Sequence, residues 1–69
     1  SKFLNIKVKP SEFLKEQRKR MGLTLAQLSH LTEIAISNLS AMESGKRSMG
    51  VPTAKKLAKA LKINYRVFV

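Results

Sequence analysis

Residues 22–47 read GLTLAQLSHLTEIAISNLSAMESGKR. Thr24 is placed to cap a helix over about Leu25 to Leu31, since its hydroxyl can accept from a free N–H of the first turn. Leu25, Leu28 and Leu31 recur every third position and predict an apolar side. Thr32 and Glu33 leave room for a tight turn. A further helix is predicted over about Ala35 to Ser44, with Ala35, Leu39 and Met42 facing inward at spacings of four and three. Ser37, Ser40, Ala41 and Ser44 share another face. That face is small and polar, with no lysine or glutamate, whereas an ordinary solvated face is rich in both. Gly45 closes the helix, and Gly45 to Gly50 is a loop that carries Lys46 and Arg47.

The pattern continues on both sides. Leu4, Ile6 and Val8 alternate with Asn5, Lys7 and Lys9, which reads as a short strand or an extended arm that Pro10 stops. Ser11 is expected to cap a first helix from about Glu12 to Arg20, ended by Gly22. Its apolar stripe is Leu14, Arg18 and Met21, with Phe13 beside it. An arginine in such a stripe needs an anionic partner. Glu43, on the edge of the inward face of the third helix, is the acid that would join the two helices. Downstream, Pro52 suits the first turn of a fourth helix over about Pro52 to Leu61. Leu57, Ala58 and Leu61 form its core face; Lys55, Lys56, Lys59 and Lys62 form its wet face. Asn64 is expected to cap a last helix, Tyr65 to Val69. The chain therefore reads as an arm or strand over residues 1–10, then an all-α domain of five short helices over residues 11–69.

Composition narrows the function. A chain of 69 residues is one small domain, or the isolated domain of a longer protein, with a thin core. Fourteen Lys plus Arg against four glutamates give a net charge of +10, which points to a polyanion as partner. Lys2, Lys7, Lys9, Lys15, Arg18, Lys19 and Arg20 lie on one side of the stretch Met21–Gly45. Lys46, Arg47, Lys55, Lys56, Lys59, Lys62 and Arg66 lie on the other, and the stretch itself has no Lys or Arg. No cysteine, no aspartate and a single histidine leave little from which to build a catalytic triad, a carboxylate dyad or a metal cluster. His30 reads as a surface residue. We therefore expect no enzyme activity, no cofactor and no metal. No apolar run approaches the roughly 20 residues of a membrane span, and no signal-peptide core is visible, so a cytoplasmic location is the expectation.

Two short helices joined by a tight turn, in a basic helical domain, suggest a helix-turn-helix. A helix that enters a groove about 12 Å wide needs compact outward groups, and flanking cations must hold phosphates. Ser37, Asn38, Ser40, Ala41 and Ser44 meet the first demand; Lys46, Arg47 and Lys55 meet the second.

The run GLT, then LSxLTxI, then SxLSxxExGKR, with AKKLAKALxI near the end, also resembles the lambda-repressor-like Cro/Xre helix-turn-helix family over about residues 11–69. The resemblance implies that Thr24 and Leu25 lie where that family touches phosphate. It implies base contact near Ala35 and through Ile36, Ser37, Ser40 and Ala41, with Asn38, Ser44, Lys46 and Arg47 at the DNA backbone or groove edge. It also implies an Arg18–Glu43 bridge. Glu33 stands where the family usually has glycine, Ala35 where it often has a Ser or Thr cap, and Leu25 where it often has Gln. Ile36 and Ala41 replace hydrogen-bonding residues, which gives DNA shape a large share of any specificity.

The expected function is thus a sequence-specific double-stranded DNA-binding transcriptional regulator, a repressor that reads a palindromic operator through its third helix. As a homodimer it would join through Tyr65, Phe68 and Val69, unless those side chains complete the monomer core. The alternative is an antitoxin, with the Leu4–Ile6–Val8 segment gripping a toxin protein while the domain represses its own operon. A module without any DNA role is a third reading.

Overall fold

The computed structural model describes residues 9–68, and within them the architecture is all-α. Four α-helices follow one another: α1 Pro10–Arg20, α2 Leu25–Thr32, α3 Ile36–Glu43 and α4 Val51–Leu61. The expected fifth helix is a single 3-10 turn, Tyr65–Val67, capped by Asn64, whose side chain accepts from the Arg66 N–H at 3.0 Å. The expected strand over Leu4, Ile6 and Val8, and with it the toxin-gripping element, lies outside the described residues, as does Val69.

Helix α4 starts one residue early, at Val51, and two other helix starts differ from expectation. Ser11 does not cap α1: Lys9 is the N-cap, and Pro10 occupies the first turn. Proline forces extended backbone on the residue before it, and Lys9 has ψ 144°. Its own φ already suits a helix, and its missing N–H is not needed there. Likewise Ala35 is not the first residue of α3 but its N-cap, with φ −57° and ψ 142°. It stands outside the helical periodicity, so it is exposed rather than inward.

The core is Leu14 of α1, Leu28 of α2, Leu39 and Met42 of α3, Ala54, Leu57, Ala58 and Leu61 of α4, and Phe68. Each large side chain buried there stabilises the fold by about 1.5–3 kcal/mol. Leu25, Leu28 and Leu31 do not share one buried side: Leu28 is buried, Leu25 half-buried, and Leu31 is 57% exposed. A spacing of three falls short of a full turn, so successive leucines rotate away from the core. Thr32, four after Leu28, takes the inward place that Leu31 cannot reach. Met21 is likewise exposed, because it follows the last turn of α1 as its C-cap.

Helices α1 and α3 end alike. After α1, Gly22 adopts φ 71°, its N–H bonds to Lys19 O, and Leu23 N–H bonds back to Arg18 O. After α3, Gly45 adopts φ 82°, with Gly45 N–H on Met42 O and Lys46 N–H on Ala41 O. These are Schellman closures, which turn the chain sharply while satisfying terminal carbonyls. They fix where α2 begins and where the Lys46–Arg47 loop leaves α3.

Phe68 was expected at an intersubunit seam but is 3% exposed and belongs to the core. Its ring meets Phe13 edge-on, centroids 5.9 Å apart and planes at 64°. The turn after α4 folds the chain back on that helix and brings Phe68 to α1, filling space that a small domain would otherwise leave open. Tyr65 is half-buried beside it.

Candidate nucleic-acid interface

Helix α3 packs against both α1 and α2, and α2 packs against α4. With Leu39 and Met42 turned inward, the opposite side of α3 is free. Ser37 and Ser40 are exposed, Ile36 is 47% exposed, and Ala41 is partly so. Asn38 is half-buried and Ser44 exposed at the C-cap. The structure thus brings Ile36, Ser37, Ser40 and Ala41 onto one compact outward surface without a charged side chain.

Cations stand at its end. Lys46 and Arg47 are exposed, and their N–H groups both bond to the Ala41 carbonyl, at 2.9 and 3.2 Å. Ser44 Oγ donates to the same oxygen at 3.1 Å. The loop is therefore folded back on the end of α3, which holds the backbone of both basic residues there. Lys55 is exposed on α4, but its Nζ stands 5.3 Å from the Tyr65 ring centroid. That cation–π contact draws it toward the chain end.

At the start of α2, Thr24 Oγ1 accepts from Gln27 N–H at 3.0 Å, and Gln27 Oε1 accepts from Thr24 N–H at 2.8 Å. This is a complete capping box. The Thr24 hydroxyl keeps its proton for an outside acceptor. Leu25 packs half-buried against the core, so only its backbone N–H faces outward chemistry. The T-x-x-Q spacing of Thr24 and Gln27 could have revealed Gln27 from the sequence.

The turn between α2 and α3 is held by side chains of α2. Glu33 sits in the left-handed region, φ 61° and ψ 26°, with its N–H on Ser29 O at 2.7 Å. Ser29 Oγ donates to Ile34 O, and buried Thr32 Oγ1 accepts from Ile34 N–H at 3.3 Å while donating to Leu28 O at 2.8 Å. Both hydroxyls stand in the LSxLTxI run, but that run does not say that they bind the backbone of Ile34.

The far end of α3 is fixed to α1. Arg18 Nε donates to Glu43 Oε2 at 2.6 Å and Nη2 to Oε1 at 3.1 Å, with side chains 12% and 6% exposed. Nη1 donates to Leu23 O at 2.8 Å. The hydrogen bond to Glu43 pushes the Arg18 guanidinium above its ordinary value, against the opposing effect of desolvation, and the charge of Glu43 adds to the rise.

An open groove of about 530 Å³ lies between the start of α1 and the α3–α4 loop, with Met42, Met49 and Phe68 among its walls. It adjoins the end of α3, where Ser44 and Arg47 also line it, but Ile36, Ser37, Ser40 and Ala41 do not. Among the described residues no group of three His, Asp or Glu could hold a metal ion, and no helix is long and apolar enough to cross a membrane.

Comparison with known proteins agrees with this arrangement. Residues 14–68 match the model of the helix-turn-helix family HTH_3. The restriction-modification controller protein C.AhdI from Aeromonas hydrophila superposes with a TM-score of 0.82 at 32% identity, over 90% of this chain and 94% of that one. An HTH_3 family transcriptional regulator from Vibrio cholerae superposes with a TM-score of 0.77 at 31% identity, over 84% of this chain; the match spans 33% of that longer protein. No curated protein sequence matches. On the extent of the family match and the geometry of its helices, this chain belongs to the HTH_3 helix-turn-helix family of DNA-binding transcription regulators.

Proposed function

We propose that the protein is a sequence-specific repressor that binds a palindromic duplex operator as a homodimer, with α3 in the major groove. The observation that carries this is the outward face of α3, compact and uncharged, with exposed Lys46 and Arg47 folded beside its end. Ile36 and Ala41 suit thymine methyl groups, and Ser37 and Ser40 can donate or accept at base edges. Thr24, the Leu25 backbone N–H, Asn38, Ser44, Lys46, Arg47 and Lys55 would lie along the phosphates. Tyr65 and the exposed Val67 supply the seam, since Phe68 is committed to the monomer core. Selection of bound sites from random duplex DNA tests the reading. It predicts enrichment of a two-fold symmetric motif with half-sites about one helical turn, roughly 34 Å, apart.

The likeness to C.AhdI over nearly all of that protein's length favours a second, narrower reading: control of a restriction-modification operon. Under it, DNA from just upstream of this chain's own coding sequence would outcompete random duplex. Equal competition would remove that reading and leave the broader one standing.

A further inference from the structure

We propose that Ser29 and Thr32 are positioning residues for sequence reading, which set the attitude of α3 through hydroxyls bound to the protein's own backbone. The inference rests on the reading of α3 as the base-contacting helix. Three observations carry it.

First, α3 begins without a cap of its own: Ala35 supplies no side-chain hydrogen bond. Second, the residue just before that cap, Ile34, is held by both backbone groups. Ser29 Oγ donates to its carbonyl, and Thr32 Oγ1 accepts from its N–H. Third, Glu33, between Thr32 and Ile34, sits at φ 61°, a conformation that disfavours a non-glycine residue. Ser29 spans this strained residue, with its carbonyl on Glu33 N–H and its hydroxyl on Ile34 O.

The consequence is geometric. The far end of α3 is fixed by Arg18–Glu43, so releasing Ile34 lets the near end swing. Across an eight-residue helix, about 12 Å long, a shift of about 1 Å at one end tilts the axis by about 5°. Ile36 and Ser37, nearest the released end, move most. Phosphate contacts through Lys46 and Arg47 lie at the anchored end and move least. Sequence preference should therefore fall while non-specific affinity holds, a separation that general loss of stability does not produce.

The test compares the parent with Ser29→Ala, Thr32→Val and Thr32→Ser. Affinities are measured for the parent's selected site and for random duplex, at a temperature where circular dichroism shows each protein folded. Ser29→Ala and Thr32→Val are expected to lower the ratio of specific to random affinity about tenfold, the order of one base contact. Random-duplex affinity stays at the parental value. Thr32→Ser, which keeps the hydroxyl, retains the parental ratio, and it carries the test with Thr32→Val if Ser29→Ala does not fold. An unchanged ratio in the hydroxyl-deleted proteins, or equal losses on both DNAs, would overturn the inference while leaving the α3 reading intact. A parent with no preferred site would overturn both.

Discussion

The Arg18 guanidinium joins three stretches of chain at once: α1, on which it stands, the Leu23 carbonyl before α2, and the Glu43 carboxylate at the end of α3. Both charged side chains are largely buried, so each depends on the other for its solvation. We predict that Glu43→Ala destabilises the domain by about 3–5 kcal/mol, a large share of what a small domain has. It should also weaken DNA binding, because α3 loses its far anchor. Arg18→Lys should not substitute, since an ammonium cannot reproduce the fork to two oxygens. Chemical denaturation of the double-mutant cycle measures the coupling; a value near zero would show that the pair does not stabilise the fold.

Lys46 is exposed beside the end of α3. If it neutralises one phosphate, Lys46→Ala lowers the slope of log affinity against log salt by about one unit and weakens specific and random duplex alike. Titrations at several salt concentrations decide this. A parental slope would take Lys46 out of the interface.

Among the described residues, Glu33 and Lys62 are the non-glycine residues with left-handed backbone, at φ 61° and 60°. Glycine removes the Cβ strain, worth about 1–2 kcal/mol before glycine's own entropic cost. Glu33→Gly is therefore expected to raise the melting temperature by about 4–8 °C for each kcal/mol gained. Glu33→Ala, which keeps the Cβ, should not. Equal melting temperatures for the two variants would show that the strain is absent.

Much of this was visible in the residues. Arg18 could be singled out because a charge in an apolar stripe is an anomaly, and Glu43 because it alone bridges the right pair of helices. The smooth face of α3 was legible because serines and alanine replace the usual lysines and glutamates. Ala35 and Leu31 misled for a shared reason: periodicity says which residues align, but not where a helix begins or how far its buried stripe extends. Phe68 misled because exposure at a chain end depends on whether the chain folds back, which is a tertiary matter. Ser29, Thr32 and Ile34 all stand in the LSxLTxI run, yet their grip was not legible there, since it pairs side chains with backbone rather than residue with residue.

Phe68 separates folding from assembly. Phe68→Ala should cost about 3–5 kcal/mol through loss of a buried ring and lower the melting temperature. Val67→Lys, at an exposed position, should leave the fold intact but break the proposed seam. Sedimentation should then show a dimeric parent and a monomeric Val67 variant. A parent that is monomeric both free and on DNA would refute the dimer.

If α3 reads bases, it does so through Ile36, Ser37, Ser40 and Ala41. The most direct measurement is parallel selection from random duplex DNA with the parent and with an Ile36→Ala, Ser37→Ala double variant, each shown to be folded. The parent is expected to enrich a symmetric motif and the variant to lose preference at defined positions within each half-site, while its salt slope is retained. Recovery of the same motif at the same strength by both proteins would contradict it.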